Sequence, residues 1–158
     1  MQKSVSTHDK SVLSRLDEIH ETIRQTYLQY PYPWVIGYSG GKDSTTTLQL
    51  CWYALRDLPV EQRTKPIYVI STDTKVETPI IVDRIQDSIH RMNAAAKEQK
   101  INLTAHKLSP VLNDTFWVNL IGRGYPAPNS AFRWCTERLK INPSNRFILE
   151  KVAEHGEV

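Results

Sequence analysis

The order of apolar and polar positions divides most of the chain into alternating helices and strands. Apolar residues spaced three and four apart predict helices over residues 8–28, 44–58 and 78–100. Short apolar runs predict buried strands over residues 34–38, 66–71 and 101–108. Strands that alternate with helices are typical of a parallel sheet, because each crossover must return the chain to the same end of the sheet. The pattern therefore predicts a three-layer α/β/α domain with a parallel sheet.

Each predicted helix has one apolar stripe, which we expect to face the sheet. The stripes are Val12, Leu16, Ile19, Ile23 and Tyr27 in the first helix, Leu48, Cys51, Trp52, Leu55 and Leu58 in the second, and Ile81, Ile85, Ile89, Met92 and Ala96 in the third. After residue 110 the pattern weakens. It predicts a short helix over residues 114–121, a loop over 122–132 and a last helix over 143–154. Trp117 and Trp134 are predicted as core anchors, which are commoner than platforms for stacked bases.

Composition restricts the class of protein. The chain has 158 residues, of which 40% are hydrophobic and 23% charged, so it suits one folded domain rather than a disordered segment. Its apolar runs are shorter than the roughly 20 residues of a membrane span, and its first residues lack the apolar core of a secretion signal. Two cysteines make no disulfide framework. We therefore expect a cytoplasmic protein with no membrane partner.

The net charge of +3 is concentrated in one stretch. Residues 122–140 carry Arg123, Arg133, Arg138 and Lys140 against Glu137, which gives +3 for the stretch and zero for the rest of the chain. Proteins that bind nucleic acid through charge alone are far more basic overall. The stretch therefore suits a local anionic ligand, with nucleic acid as one possibility.

The strongest chemical signal lies between the first predicted strand and its helix, in the hexapeptide Ser39-Gly40-Gly41-Lys42-Asp43-Ser44. Ligands of open α/β sheets bind at the carboxyl ends of the strands. Two glycines allow backbone N–H groups to converge on an anion, while the helix N-terminus and Lys42 add positive charge. A Walker A loop would need glycine in place of Ile36 and serine or threonine in place of Asp43. The hexapeptide therefore predicts a phosphate-binding loop of another kind.

The same hexapeptide resembles the pyrophosphate loop of the adenine-nucleotide α-hydrolases. Further motifs, at residues 71–74, 77–79, 133–136 and 139–143, are similar to the phosphoadenosine phosphosulfate (PAPS) reductase-like branch. Two longer runs, at residues 34–50 and 113–128, resemble the sulfurtransferases of bacterial DNA phosphorothioation, which replace a non-bridging phosphate oxygen with sulfur. The resemblance extends from about residue 10 to residue 158.

This resemblance implies an enzyme that cleaves ATP to AMP and pyrophosphate and so activates a phosphate for sulfur transfer into DNA. It implies ATP and Mg²⁺ as cofactors. The partners implied are DNA bound through other subunits, a cysteine desulfurase and other phosphorothioation proteins. Two alternatives remain open, namely a PAPS reductase-type enzyme for a small sulfonucleotide and a nucleotide-binding module without turnover of its own.

The loop supplies the first predicted site residues. Backbone amides of Ser39, Gly40 and Gly41, with Asp43 and Ser44 at the start of the helix, are expected to hold the β and γ phosphates. Lys42 is expected to neutralise the departing pyrophosphate, which is a task of positioning and electrostatics.

Further predicted site residues lie beyond the loop. Asp73, after the second strand, is a candidate ligand for Mg²⁺ or the ribose, or alternatively a turn residue that caps the next helix. Glu77 is either a functional residue or simply a carboxylate that the helix dipole favours near the start of that helix. Arg123, between two glycines, and Arg133 are predicted contacts for the phosphates of the nucleotide or the substrate.

Cys135 is the better candidate for a reactive thiol, because Arg133 and Arg138 would favour its thiolate. In the resembled family cysteines ligate an iron–sulfur cluster, so Cys135 is either such a ligand or an inert thiol. Cys51 lies in an apolar stripe and is expected in the core. Because four thiolates are usual for these clusters, we expect this chain to purify without one, and a cluster only in a full-length protein.

The resemblance also implies that residues 1–158 are the N-terminal part of a longer protein with a single nucleotide-binding domain here. Gly156 reads as the stop of the last helix, and residues 157–158 read as the first step into another strand. In the resembled family a fourth strand lies beside the first. We therefore expect residues 34–38 to form an open sheet edge, weak activity of the isolated chain and a tendency to self-associate.

Overall fold

The computed structural model describes residues 7–158, with side chains from residue 14 onward. Its described residues form one sheet of three parallel strands, β1 (Trp34–Gly37), β2 (Ile67–Thr72) and β3 (Leu103–Leu108), which lie side by side in chain order. The register pairs Trp34 with Ile67 and Ile67 with Leu103. The predicted α/β fold with a parallel sheet is confirmed.

Three helices, α1 (Thr7–Gln29), α2 (Lys42–Arg56) and α3 (Pro79–Glu98), pack on one face of the sheet. Their buried side chains and those of the facing strand positions form the main core: Tyr27, Ile36, Leu48, Leu55, Leu58, Ile67, Val69, Ile89, Ala96, Ile101, Leu103 and Ala105. Within the described residues, no helix combines the length and the hydrophobicity that a membrane span requires.

The opposite face of the sheet is covered by the end of the chain. Helical structure runs through α4 (Trp134–Thr136), a π-helical turn (Glu137–Ile141) and α5 (Asn142–His155). Phe147 of α5 packs against Tyr68 and Ile70 of β2. Side chains alternate between the two faces of a strand, so β2 contributes to both cores. The result is the predicted order of three layers.

The two outer strands of the sheet have different edges. Asn93 of α3 accepts the N–H of Ala105 at 2.7 Å and donates to its carbonyl at 3.1 Å, which occupies the outer edge of β3. In β1, Trp34 and Tyr38 donate their N–H groups toward β2, so the peptide groups of Val35 point the other way. β1 is thus an edge strand, as expected.

The predicted boundaries agree with the observed helices and strands except near the end of the chain. The last helix was expected over residues 143–154, whereas helical structure already begins at Trp134. Pro143 misled the prediction, because proline lacks an N–H and typically marks the first turn of a helix. The π-helical turn directly before it changes the hydrogen-bonding pattern of the backbone, which lets the helix continue through the proline.

Most of the predicted stripe residues are buried or half-buried, but two are not. Ile19 is 41% exposed. Among the described side chains of α1, Tyr27 near the end of the helix belongs to the main core, whereas Ile19 lies outside it. Ile81 is 44% exposed because it lies at the open carboxyl edge of the sheet, where it lines a cavity. The prediction of a core position is wrong for both. Val12 lies outside the residues whose side chains are described.

The stretch between β3 and α4 contains a 3₁₀ turn (Leu112–Asp114) and a π-helical turn (Val118–Gly122). Trp134 is 6% exposed and anchors this stretch, as predicted. Trp117 is 57% exposed, so its prediction as a core anchor is wrong. The two tryptophans differ because Phe116, stacked on Trp134 at 5.4 Å, occupies the inner position beside it.

Candidate functional site

A cavity of about 260 Å³ opens at the carboxyl edge of the sheet. Its walls come from the ends of all three strands, the loop after β1, the first turns of α3 and the start of α5. Four residues singled out from the sequence line it, namely Ser39, Ser44, Asp73 and Glu77. They converge because the carboxyl ends of parallel strands meet at one edge.

Hydrogen bonds between its own serines shape the loop after β1. Ser44 Oγ accepts the N–H of Ser39 at 3.2 Å and donates to the carbonyl of Gly41 at 3.1 Å. The hydroxyl of Ser39 lies 3.1 Å from the hydroxyl of Ser44. These contacts hold the turn by which the chain leaves β1 and enters α2.

The start of α2 is open to an anion. Gly41 is the N-cap residue, and in the described part of the chain no side chain caps this helix. The first-turn N–H groups, those of Lys42, Asp43 and Ser44, therefore lie at the positive end of the helix dipole without a capping acceptor. The side chains of Lys42 and Asp43 are exposed. Such a helix start is a ready site for phosphate.

Gly40 allows the loop to pass close to α3. Its φ of +74° lies in the left-handed region, and a Cβ at this position would lie 2.8 Å from Cδ1 of Ile85. Any other residue would be strained and would press on the Ile85 side chain. Since Ile85 lines the cavity, the glycine fixes the loop against the cavity wall.

Asp73 is a buried carboxylate, 6% exposed, at the end of β2. Its Oδ1 accepts the N–H of Lys75 at 2.9 Å, its Oδ2 accepts Nζ of Lys75 at 3.0 Å, and Nζ of Lys107 lies 3.8 Å from Oδ2. Burial by itself raises the pKa of Asp73, but the hydrogen bonds from Lys75 and the charges of both lysines outweigh it and lower the pKa below its usual value. Asp73 is therefore ionised and surrounded by positive charge.

The loop after Asp73 is a turn rather than a helix cap. Lys75 has a φ of 63°, which is uncommon for a residue with a side chain, and its N–H closes the turn on Asp73. Glu77 Oε2 accepts the N–H of Thr74 at 3.2 Å and closes the same loop. No side chain caps α3 at Thr78, so in the described part of the chain Asp73 does not have the predicted capping role. The alternative for Glu77, a favourable position near the start of the helix dipole, stays a prediction.

The contacts of Asp73 bear on its predicted role as a ligand of Mg²⁺. Both carboxylate oxygens accept hydrogen bonds from Lys75, and Lys107 adds a second positive charge. The described residues contain no group of three or more His, Cys, Asp or Glu side chains that could hold a metal ion. Because Mg²⁺ in nucleotide sites is commonly held by one or two carboxylates together with phosphate oxygens and waters, Asp73 as a ligand of Mg²⁺ stays a prediction, and it requires Lys75 to release a carboxylate oxygen. A hydrogen bond from a ribose hydroxyl to Asp73 also stays a prediction.

One wall of the cavity is apolar. It consists of Tyr38, Ile70, Ile81, Val82 and Ile85. An apolar wall with a few converging polar groups is the usual composition of a pocket for a small molecule. The wall suits a flat, weakly polar group such as a nucleobase, next to the loop that suits phosphate.

Three lining residues were not predicted: Lys107, Lys140 and Ser144. Lys107 could have been found, because it lies near the carboxyl end of a predicted parallel strand. Lys140 and Ser144 belong to the π-helical turn and α5, and local pattern does not reveal that these elements close over the sheet. Lys107 and Lys140 add positive charge to a cavity whose lining also contains the carboxylate of Asp73.

Other predicted site residues are not brought to the cavity. The predicted site residues outside its lining are, in the loop, Gly40, Gly41, Lys42 and Asp43, and, farther along the chain, Arg123, Arg133 and Cys135. Arg123 and Arg133 are exposed, and Nη1 of Arg123 donates to Oδ1 of the buried Asn119 at 3.3 Å. Their roles as phosphate contacts stay predictions.

Arg138 has a structural role. Its guanidinium donates to Oδ1 of Asp114 at 2.8 Å and to the hydroxyl of Tyr125 at 2.9 Å. These contacts tie the π-helical turn to the preceding loop. The cation that was expected to favour the Cys135 thiolate is therefore engaged elsewhere.

The two cysteines lie in different surroundings. Cys51 packs against the main core, and burial raises the pKa of its thiol, in agreement with its predicted core position. Cys135 is half-buried in α4, outside that core. Four thiolates are usual for a four-iron cluster, so Cys135 as one ligand of a cluster in a longer protein stays a prediction.

No protein-family model matches the chain. The uncharacterized protein MJ0066 of Methanocaldococcus jannaschii is 30% identical over 128 residues, which are 81% of this chain and 22% of that protein. The chain thus spans about a fifth of the length of that relative. The U34-tRNA thiolase NcsA from Methanococcus maripaludis, solved with its 4Fe-4S cluster, is similar with a TM-score of 0.49 and 18% identity, over 86% of this chain and 42% of that chain.

Proposed function

We propose that this domain binds ATP at the carboxyl edge of its sheet and cleaves it to AMP and pyrophosphate, in order to activate a phosphate for sulfur transfer into DNA. One observation carries the proposal: a glycine loop leads into the uncapped start of α2 beside a cavity with an apolar wall. The loop suits the phosphates and the wall suits the base.

The site supports cleavage between the α and β phosphates through positioning and charge. The amides at the start of α2 hold the β and γ phosphates, and Lys42 neutralises the charge that develops on pyrophosphate as it leaves. Lys107 and Lys140 line the cavity that Ser39 and Ser44 of the loop also line, and their charge there favours an anionic transition state.

The acceptor is proposed from the resemblance of residues 34–50 and 113–128 to the phosphorothioation sulfurtransferase DndC. A non-bridging oxygen of the acceptor phosphate attacks the α phosphorus, and pyrophosphate leaves. A sulfur nucleophile then attacks the acceptor phosphorus, and AMP leaves with the original oxygen. DNA and a cysteine desulfurase are the partners that this chemistry requires.

Pyrophosphate release from ATP tests the proposal. We expect Lys42→Ala to weaken ATP binding by about tenfold or more, because it removes a charge-assisted contact to phosphate. The fold should be unchanged, since Lys42 is exposed. Lys97→Ala, an exposed lysine on α3, is the matched control and should bind ATP like the wild type.

Two further measurements, sulfite release from PAPS and ATP binding, distinguish the alternative functions. Sulfite release from PAPS with a thiol reductant, without cleavage of ATP, would identify a PAPS reductase-type enzyme. Binding of ATP without pyrophosphate release, even with DNA present, would identify a nucleotide-binding module. Equal ATP affinity of the wild type and Lys42→Ala would contradict the phosphate loop itself.

A further inference from the structure

An exposed tryptophan lies on the stretch that leads into α4. Trp117 is 57% exposed, and two other large apolar side chains of this stretch, Leu112 and Ile121, are 76% and 75% exposed. Trp117 and Ile121 are one helical turn apart and therefore share a face. Contiguous exposed apolar groups on a folded protein commonly mark a binding surface.

The tryptophan is held in place from below. Phe116 meets it edge to face, with ring centroids 5.1 Å apart and an interplanar angle of 90°. Phe116 in turn stacks on the buried Trp134 at 5.4 Å and 21°. Nε1 of Trp134 donates to the carbonyl of Pro126 at 3.1 Å. The exposed ring thus rests on an ordered aromatic base, so little conformational freedom is lost when a ligand binds it.

The charge around this tryptophan favours an anionic partner. Residues 111–133 contain one acidic residue, Asp114, and two basic residues, Arg123 and Arg133. Asp114 is paired with Arg138 at 2.8 Å, whereas Arg123 and Arg133 are exposed. An exposed aromatic ring and exposed arginines in one stretch of chain are the combination with which proteins bind single-stranded nucleic acid.

We propose that Trp117 stacks an unpaired base of a nucleic-acid strand, while Arg123 contacts the phosphates of that strand. The inference rests on the proposed function, in which a nucleic acid is the acceptor, and it adds that the acceptor strand is presented unpaired. A base inside a duplex is stacked on both sides, so a tryptophan can stack on it only after it leaves the helix.

The test is the affinity of the chain for a short fluorescent oligothymidylate, compared with a duplex of the same length, at low and at moderate salt. We expect Trp117→Ala to weaken binding to the single strand about tenfold or more. Trp117→Phe should retain most of the affinity, because phenylalanine keeps a stacking face. Arg123→Gln should weaken binding and flatten its dependence on salt.

Matched controls separate this surface from general effects. Tyr53→Ala removes a similarly exposed aromatic ring on α2, and Arg146→Gln removes an exposed arginine on α5. Both variants should bind the oligonucleotide like the wild type. Circular dichroism should show the same fold for all variants, since every substituted side chain is exposed.

Three results would overturn the inference. One is the absence of oligothymidylate binding, another is a preference for the duplex that Trp117→Ala leaves unchanged, and the third is a dimer of the chain that Trp117→Ala converts to a monomer. ATP cleavage is measured separately. A chain that releases pyrophosphate but ignores the single strand contradicts this inference alone, whereas one that binds through Trp117 without cleaving ATP contradicts the proposed function alone.

Discussion

Two regions of the molecule are stabilised by different means. Between residues 14 and 108, α1, α2 and α3 pack on the sheet through apolar side chains, and Leu55, Ile67 and Val69 are about 1% exposed. Between residues 110 and 141 directional contacts join a smaller set of buried apolar side chains, Trp134 and Leu139. Asn119 is 0% exposed and donates to the carbonyls of Asn113 and Thr115 at 3.1 and 2.8 Å.

The difference bears on the site, because the cavity draws on both regions. The first region supplies Ser39 and Ser44 of the glycine loop and Asp73 at the end of β2. The end of the second region supplies Lys140. Because hydrogen bonds and the Asp114–Arg138 ion pair tie the second region together, we expect it to open locally without loss of the main core.

The largest expected effect comes from a cavity in the first region. Leu55→Ala should lower the free energy of unfolding by about 2–5 kcal/mol, because it removes a fully buried side chain. Leu149→Ala, at a position that is 67% exposed, is the matched control and should change it little. Chemical denaturation measures both. Equal effects at the two positions would mean that the main core does not carry the stability.

A smaller and more local effect is expected in the second region. Asn119→Ala leaves the carbonyl of Asn113 without its side-chain donor and the carbonyl of Thr115 with only the backbone N–H of residue 119, and it should cost about 1–3 kcal/mol. Hydrogen exchange should increase in residues 110–141 and stay unchanged in the strands, whereas the exposed Asn145→Ala should change neither. Faster exchange in β2 for Asn119→Ala would show that the two regions unfold as one.

The phosphate loop allows a test at the junction with α3. Gly40→Ala should cost about 1–2 kcal/mol, because alanine is strained at a positive φ, and it should also reduce ATP affinity by displacing the loop from Ile85. Gly122→Ala is the control, since its added Cβ would meet only Val118 at an ordinary 3.9 Å. Unchanged ATP binding by Gly40→Ala would show that phosphate binding does not depend on the conformation of the loop at Gly40.

The smallest expected effect is a dependence of stability on pH beneath α5. Burial lowers the pKa of His106 below its usual value, and the nearby charge of Lys151 lowers it further. The unfolded chain therefore binds a proton more readily than the folded chain, so stability should fall as the pH decreases through about 6.5. Thermal unfolding at several pH values should show a shallower decrease for His106→Phe than for the exposed His90→Phe. An equal slope for both variants would exclude His106 as the cause.

Much of the first region could be read from the sequence, because its elements are determined by local periodicity. The stripe of Leu48, Leu55 and Leu58 is buried, and the runs that become β2 and β3 are paired in parallel. The glycine loop was found for a related reason. Its function depends on consecutive backbone groups at a strand–helix junction, and such a junction is visible in a few adjacent letters.

The roles of residues with partners far away in the chain were harder to predict from the sequence. Arg138 looked like a free cation because its partners, Asp114 and Tyr125, are 24 and 13 residues away in the chain. Trp117 and Trp134 looked alike, and only the position of Phe116 between the turn and the core separates the exposed ring from the buried one. Pairings of this kind depend on long-range packing, which periodicity does not report.

The sequence by itself determined the alternation of strands and helices, the parallel sheet and the place of the phosphate loop, since apolar spacing and glycine–helix junctions are local properties. Only the tertiary structure decided that Asp73 is held by Lys75 and Lys107, that Lys140 and Ser144 close the cavity, and that Arg123, Arg133 and Cys135 lie outside its lining. The physical reason is that the charge and the accessibility of a side chain depend on its neighbours in space. Those neighbours come from four separate segments that meet at one edge of the sheet.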